Sequence, residues 1–263
     1  MTKSVWRVIE AVAILAALGA AAVPASAQMG GGEMTEKPRL YTYESYWVFP
    51  RARWGEVDKG NAASNQKILA PALADGTLVG YGDDENLVHT VEGPTHDNWW
   101  QAHSMAGLLK VLDAFYKSGG TASPLLVSST KHWDAVYVSR FYNWRPGSWK
   151  GAYGHSGTYK LKPDAPDNAV DILSKSTFVP ILEKLLADGA IVEYEIDEET
   201  IHTESPDQFF IYYLTPTAEG IDKVNAAVRD AVRDNALISP AFGSMVDFTP
   251  HRDALFRANA TYK

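Results

Sequence analysis

Two histidines at matching positions of similar segments are the first side chains in this sequence that could transfer a proton near neutral pH. His89 and His202 each follow a tyrosine, Tyr81 or Tyr194, by eight residues. An even spacing along a strand places side chains on one face of a sheet. The pattern indicates either a paired base or ligand, or two histidines that hydrogen-bond a strand end or a neighbouring carboxylate.

A third histidine lies in the stretch "NWWQAH", where His103 shares strand parity with Trp99 and Gln101. The matching positions of the later stretch "QFFIYYLTP" are aromatic or aliphatic: Phe209, Ile211 and Tyr213. One segment thus keeps a polar, titratable face where the other does not. This favours a pocket near His103, although a polar outer face of a sheet would give the same pattern.

The stretch "RPGSWKGAYGHSGTYKLKPDAPDN", residues 145–168, shows no regular periodicity. Long irregular loops in compact domains are often lids or binding loops, and this one supplies Trp149 and Tyr153. The alternative is a surface loop that packs its own aromatic rings against the fold. The predicted bases are therefore His103 and His89, and the predicted substrate-binding residues are Trp99, Gln101, Tyr81, Tyr194, His202, Trp149 and Tyr153.

Metal and nucleotide chemistry find little support in the pattern. His89, His96 and His103 fall seven residues apart, but equal spacing across a strand, a loop and a strand does not bring side chains together. No G-x-G-x-x-G, Walker, H-E-x-x-H or G-x-S-x-G motif occurs. The acidic runs "DDE" at 83–85 and "DEE" at 197–199 are interpreted as solvated turns. We expect no bound metal.

The first residues have the features of an export signal. Lys3 and Arg7 precede a thirteen-residue apolar run from Ala11 to Val23, and the small-residue site "ASA" ends at Ala27. The run is shorter than the roughly 20 residues that a membrane-spanning helix needs. We expect cleavage after Ala27, a periplasmic or secreted protein, and no membrane span in the remaining chain.

Charge and composition narrow the partners. The chain has 24 Lys and Arg against 32 Asp and Glu, without a basic cluster, so a nucleic acid partner is not expected. It has no cysteine, so a packed core must stabilise it. Its 8 Trp, 13 Tyr and 9 Phe suit a core, and they also suit the walls of a pocket.

An internal repeat predicts the architecture. The stretch "ILAPALADGTLVGYGDDENLVHT", residues 68–90, is identical at twelve of 23 positions to "ILEKLLADGAIVEYEIDEETIHT", residues 181–203. Each copy has helical spacing that stops at Asp-Gly, then a strand or hairpin, an aromatic strand, and a second helix at Ala106–Tyr116 or Ala218–Val232. Upstream, "YESYWVFPRARW" and "WDAVYVSRFYNW" predict an aromatic first strand in each copy. Such matching indicates a duplication.

With closing strands at "PLLVSST" and "GSMVDFT", each copy has the β-α-β-β-α-β order of a ferredoxin-like unit. The predicted fold is α+β, with two tandem ferredoxin-like repeats packed as an intramolecular α+β barrel. The predicted boundaries are a signal at 1–27, a flexible segment at 28–40, repeats at 41–131 and 132–250 with an insertion at 145–168, and a tail at 251–263.

Over residues 41 to 250, the order of elements, the paired aromatic strands and the "LADG" helix ends resemble the dimeric α+β barrel superfamily. It includes antibiotic-biosynthesis monooxygenases, NIPSNAP-type proteins and two-repeat chlorite dismutases. The resemblance implies a small, largely apolar or aromatic ligand, no tightly held cofactor, and cofactor-independent monooxygenase-like chemistry if the protein is catalytic. Haem is the alternative cofactor, but no residue here matches the haem histidine.

The other hypothesis is a non-catalytic envelope module with a filled core. The sequence leaves open whether the chain is an enzyme, and whether it is a monomer or a homodimer.

Overall fold

The computed structural model describes residues 37–201 and 206–263. The predicted signal at 1–27, most of the segment at 28–40 and the predicted site residue His202 lie outside the described residues. Within those two ranges, no helix is long and apolar enough to cross a membrane.

The elements of the first half follow a regular alternation. They are β1 (Leu40–Val48), α1 (Trp54–Ser64), a π-helical turn (Asn65–Leu69), α2 (Ala70–Ala74), β2 (Gly80–Asn86), β3 (His96–Ala102), α3 (Met105–Ser118), the short α4 (Pro124–Val127) and β4 (Lys131–Trp144).

The second half repeats this alternation after a two-residue strand. Its elements are β5 (Ser148–Trp149), β6 (Tyr153–Leu161), α5 (Ala169–Leu173), a π-helical turn (Ser174–Phe178), α6 (Val179–Ala187), β7 (Glu193–Ile201), β8 (Gln208–Thr215), α7 (Ala218–Asp234), α8 (Ile238–Met245) and β9 (Val246–Tyr262). The helices predicted at Ala106–Tyr116 and Ala218–Val232 are confirmed.

The strands close into an eight-stranded antiparallel barrel. Their order is β2-β3-β1-β4-β7-β8-β6-β9, and β9 pairs back onto β2, with the small strand β5 added beside β9. A closed sheet leaves no long strand edge unpaired. The predicted α+β barrel is therefore confirmed. Within each half the strands follow one order, β2-β3-β1-β4 and β7-β8-β6-β9, and the halves meet at the β4–β7 and β9–β2 pairings.

Three sequence predictions of strand position are wrong. The stretch "PLLVSST" contains α4 instead of a closing strand, because Ser123 caps it by accepting the Leu126 N–H and Pro124 favours the first helical turn. The strand that closes the first half is β4, which the sequence had predicted to open the second copy. The range 251–263, predicted to be a tail, belongs almost wholly to β9.

The predicted insertion at 145–168 is also not an irregular loop, since it contains β5 and β6. Strand β6 has glycine at positions 154 and 157, and it therefore lacks the alternating large side chains by which a strand is identified in a sequence. At Gly154, a Cβ atom would lie 1.9 Å from the Phe256 ring. Glycine in a strand often marks such a close approach, and it removes the alternation that identifies strands.

The hydrophobic core lies between the outer face of the barrel and the helices. One cluster packs Tyr43, Tyr81 and Trp100 of the strands against residues of α3 such as Leu108 and Val111. The other packs strand residues of the second half against its helices; its members include Leu182, Leu186, Tyr194, Ile196, Phe209, Ile211, Tyr213 and Val224. The apolar strand residues therefore point outward, towards the helices, and the intervening residues point into the barrel.

A substitution at Gly220 tests the close contact between α7 and the strands. A Cβ atom at this position would lie 2.6 Å from the Ala190 carbonyl oxygen and 2.6 Å from Thr215 Cβ, so the backbone would have to move. We expect Gly220→Ala to lower the free energy of unfolding by roughly 1–3 kcal/mol, measured by chemical denaturation. Gly55→Ala is the control, because nothing lies within 4 Å of its Cβ position on α1. Equal stability of the two variants would contradict the close approach.

Candidate ligand site in the barrel lumen

The lumen of the barrel contains a cavity of about 610 Å³ that strands from both halves line. A cavity of this size fits a small organic molecule. Its aromatic lining consists of Tyr46, Trp99, Trp133, Tyr137, Phe210, Tyr212 and Phe256. Its carboxylate lining consists of Glu44, Asp84, Glu92, Asp97, Glu193, Glu195, Asp197, Glu199 and Asp253. The lumen is thus aromatic, as predicted, but it is also strongly acidic.

The alternation of β7 supplies four of these carboxylates. Its sequence "EYEIDEETI" has acidic residues at every second position from 193 to 199, while Tyr194 and Ile196 between them are buried against the helices. A strand sends successive side chains to opposite faces. The acidic runs at 83–85 and 197–199 were interpreted as solvated turns, and this is wrong, because both lie within strands.

Burial raises the pKa of several lumen carboxyls, because a desolvated carboxylate is costly. It raises the pKa of Glu44 to about 7, an effect to which the charge of Glu195 adds and which a hydrogen bond with Tyr46 opposes. Burial, with the nearby charge of Glu195, also raises the pKa of Asp197 well above its usual range. The Ser139 hydroxyl donates to Asp197 and partly offsets this rise.

Asp84 and Asp97 form a carboxyl pair across neighbouring strands. They are direct cross-strand partners of β2 and β3, and their side chains hydrogen-bond to one another. Burial first, and then the neighbouring carboxylates, raise the pKa of both well above the usual range. Two carboxyls this close share one proton and titrate as a unit. The Trp99 indole N–H donates to Asp84 Oδ2 at 3.0 Å.

One end of the lumen already holds a cation of the chain itself. The side chain of Lys263 is 0% exposed, and its ammonium group forms an ion pair with Glu193 and donates, at 3.2 Å, to Glu195 Oε1. The same nitrogen lies 4.9 Å from the ring centre of Trp99 and 4.7 Å from that of Trp144. Burial lowers the pKa of Lys263, but the two glutamates more than offset this and raise it.

Gln101 joins this ammonium site to the barrel wall. Its side-chain N–H groups donate to Glu195 Oε1 at 2.6 Å and to Thr42 Oγ1 at 3.0 Å, and its carbonyl oxygen accepts from Lys263. Every polar atom of this amide therefore has a partner. Of the predicted site residues, Gln101 and Trp99 are the two that line the cavity.

The predicted histidine bases lie outside the lumen. His103 follows the last residue of β3, is exposed, and has its Nδ1 3.1 Å from the Arg39 carbonyl oxygen. His89 is exposed beyond β2, with its ring centre 5.1 Å from that of Trp54. The structure therefore does not bring the two histidines together or to the cavity.

The other predicted substrate-binding residues also lie away from the cavity. Tyr81 stacks on Tyr262 at 4.7 Å, and the Tyr194 hydroxyl donates to Glu183 Oε1 at 2.6 Å, both on the helix-facing side of the sheet. Trp149, half-buried in β5, packs against a small cluster that includes Ala152 and Leu214. Tyr153 is half-buried beneath the Arg257 guanidinium, 5.6 Å from its ring centre.

Within the described ranges, no group of three or more His, Asp or Glu side chains has a geometry that could hold a metal ion. The residues that the sequence analysis does not predict are the carboxylates that line the cavity. The signal that could have identified them is the strict acidic alternation of 193–199, which predicts one polar face of a strand.

The raised pKa of Glu44 predicts a pH dependence of stability. Between its usual pKa near 4.5 and its folded pKa of about 7, the folded state binds more protons than the unfolded state. The free energy of unfolding therefore falls as the pH rises through this window. The groups that face Glu44 in the lumen are Tyr46, Asp84, Asp97, Tyr137, Glu195 and Asp197.

We expect Glu44→Gln to raise the free energy of unfolding by roughly 1–3 kcal/mol at pH 8 and to leave it nearly unchanged at pH 4.5, measured by urea denaturation. Asp222→Asn on the exposed face of α7 removes the same charge and serves as the control. If Glu44→Gln raises the free energy of unfolding at pH 8 no more than this control does, then the prediction that the buried charge of Glu44 destabilises the fold is wrong.

Comparisons with known proteins give structural neighbours. No protein family model matches the chain, and no curated protein sequence matches it. A crystal structure from Lactobacillus acidophilus, described as a "putative monooxygenase", is 10% identical with a TM-score of 0.61 over 86% of this chain and 97% of that one. A Fusobacterium nucleatum protein with the same description is 7% identical, with a TM-score of 0.56 over 86% of this chain and 94% of that one.

A third neighbour is described as an anthrone oxidase-like protein. It is 12% identical, with a TM-score of 0.50 over 86% of this chain and 93% of that one. At identities this low the likeness shows the fold alone. The chain therefore shares the α+β barrel fold of these monooxygenase-like proteins.

Proposed function

We propose that this protein binds a small aromatic molecule in the lumen of its barrel. The observation that carries the proposal is the cavity of about 610 Å³, which is lined by seven aromatic side chains. Aromatic walls with a few placed polar groups are typical of sites for small organic ligands. The neighbours described as monooxygenases have the same fold and support a lumen used for small molecules.

The acidic lining changes the expected ligand. The sequence predicted a largely apolar or aromatic molecule, but a purely apolar ligand would leave Asp84 and Asp97 buried without new partners. Burying polar groups without hydrogen bonds costs free energy. The ligand that fits this lumen is an aromatic molecule with hydrogen-bond donors, with no tightly held cofactor required for binding.

A second candidate function is conversion of the bound molecule by proton abstraction. Glu44 faces the cavity, and its pKa of about 7 matches what a general base needs near neutral pH. The neighbours described as monooxygenases favour this candidate. In such a reaction Glu44 would take the role that sequence reasoning gave to His103 or His89, because neither imidazole lines the cavity.

The two halves are, on this proposal, tandem ferredoxin-like repeats from a duplication. Gly107 and Gly220 both open the helix after the third strand of their half. A Cβ atom at Gly107 would lie 3.0 Å from the Thr77 carbonyl oxygen, just as one at Gly220 would lie 2.6 Å from that of Ala190. Both pairs are separated by the offset of 113 residues found in the repeated sequence. The strand order favours a boundary between β4 and β6, instead of one at residues 131 and 132.

The protein also acts outside the cytoplasm on this proposal. The basic residues, apolar run and "ASA" site of residues 1–27 support export and cleavage after Ala27. Expression of the full chain in a bacterium should yield a mature protein that begins at Gln28, detected by N-terminal sequencing of the periplasmic and culture fractions. Full-length protein confined to the cytoplasm would contradict export.

Filling the lumen tests ligand binding. A panel of small aromatic compounds should include members that raise the melting temperature of the wild-type protein, because a ligand that binds the folded state alone stabilises it. Thr158→Trp and Ala135→Leu place extra volume in the cavity and should abolish the shift. Val127→Trp is the control, because Val127 is 73% exposed on α4.

The two substitutions that fill the cavity add different side-chain volumes. If one variant misfolds, the other still tests ligand binding. Circular dichroism shows whether each variant is folded. Failure of every compound to shift the wild-type protein, or an equal shift in the folded filling variants, would contradict a ligand site in the lumen.

A further inference from the structure

The lumen has a large excess of carboxyl groups over basic groups, and this excess points to the charge of its occupant. Nine carboxyl groups line the cavity, and among the described residues Arg252, which is exposed on β9, is the basic side chain that lines it, while the buried Lys263 lies at one end. The ammonium of Lys263 contacts Glu193 and Glu195. Glu44, Asp84 and Asp97 have no such partner among the described residues.

The ammonium of Lys263 shows how this lumen holds a cation. Glu195 and the Gln101 carbonyl oxygen accept its hydrogen bonds, Glu193 forms an ion pair with it, and the rings of Trp99 and Trp144 lie near it at 4.9 and 4.7 Å. Carboxylates together with aromatic faces are the usual partners of ammonium groups in protein sites. The chain itself thus supplies one cation at one end of the cavity.

A second set of the same chemistry lies further along β3. Gln101, Trp99 and Asp97 follow one another on the lumen face of this strand, so Trp99 separates the Lys263 site from Asp97. Asp84 and Asp97 are only 3% and 5% exposed, and Oδ1 of each lacks a hydrogen-bond donor among the described residues. These two oxygens line the cavity and are unsatisfied acceptors.

The aromatic part of this second set comes from three other strands. Glu44 and Tyr46 lie on β1, where Tyr46 is the cross-strand partner of Asp97. Tyr137 lies on β4 with its hydroxyl 2.9 Å from that of Tyr46, and Tyr212 lies on β8. A cation among these residues would meet carboxylates on one side and aromatic rings on the other.

We propose that the ligand of the lumen is an aromatic molecule with a protonated amine, whose ammonium group binds at Glu44, Asp84 and Asp97. The inference rests on the proposed function and names the class of ligand. The aromatic body lies against Tyr137, Phe210 and Tyr212. A bare metal ion is disfavoured, because it would use neither the rings nor most of a cavity of about 610 Å³.

The carboxyl pair gives this binding a pH dependence. An ammonium group beside Asp84 and Asp97 favours their ionised forms and displaces the shared proton. The affinity for an aromatic amine should therefore rise with pH from 5 to 8, provided that the amine remains protonated. The titratable groups that face the pair are Glu44 and Tyr46 of β1 and Tyr212 of β8, while the charge of Asp83 acts on the pair from the helix-facing side of β2, where Asp83 accepts from Asn65.

The test compares two probes of the same shape. Tyramine carries an ammonium group on a phenol ring, and 4-ethylphenol lacks the amine. Isothermal titration calorimetry of the mature protein at pH 7.5 should show tyramine binding at least about 10-fold more tightly than 4-ethylphenol, a difference of about 1.4 kcal/mol. The advantage should shrink at pH 5, where the carboxyl pair holds its proton.

Asp97→Asn tests the carboxyl pair directly. The amide can donate to Asp84 in place of the shared proton, so the fold should survive, while one charge is lost for good. We expect the preference for tyramine to fall about 10-fold, with the affinity for 4-ethylphenol unchanged. Asp84→Asn is the second variant, because its side-chain oxygen can still accept from Trp99, and Asp222→Asn on α7 is the control with unchanged binding.

The outcomes separate the two proposals. Equal affinity for tyramine and 4-ethylphenol would support a ligand site in the lumen, but it would overturn the proposal that the ligand binds through a cationic group. Calcium or magnesium binding that Asp97→Asn abolishes, without tyramine binding, would overturn it in favour of an inorganic ion. Failure of both phenols, together with failure of the aromatic panel, would overturn the proposed function itself.

Discussion

The closure of the sheet upon itself is the constraint on which the rest of this structure depends. Once β9 pairs with β2, each strand has one face towards the helices and one towards the lumen. The helices are the apolar partners, so the strand residues of the two hydrophobic clusters point outward. The residues at the alternate positions point inward, and they comprise both the carboxylates and the aromatic rings that line the cavity. A lumen that can hold polar groups thus follows from placing the core outside the barrel.

The same alternation explains which parts of the fold could be predicted from sequence. The helices at 106–116 and 218–232 and the barrel itself follow from patterns in the residues. The strands with glycine at face positions did not, because "YGHSGTYKL" lacks a run of alternating side chains. The lumen carboxylates were missed for a related reason. An acidic run such as "DEE" is usually a solvated turn, and only the position of Tyr194 and Ile196 against the helices shows that its neighbours face inward.

Only part of the candidate site could be predicted from the sequence, and the alternation of side chains along a strand again explains why. Strand parity correctly grouped Trp99 with Gln101, but it extended the group to His103, which lies one residue beyond the end of β3. A pattern of period two holds only while the strand continues, and the end of a strand is hard to locate from sequence. Histidine is the residue type that ordinarily titrates near neutral pH, which favours it as the base predicted from a sequence. Burial gives Glu44 the same property, and burial is not visible in a single sequence.

The pairing of β9 with β2 also has a consequence for how the chain folds. This pairing joins residues such as Tyr81 and Tyr262, which are separated by most of the described chain. Contacts between distant segments are entropically costly to form and slow the search for the native state. During synthesis on the ribosome, the closed barrel cannot form until β9 has emerged. Until then β2 has an open edge, which makes the nascent chain vulnerable to association with other chains.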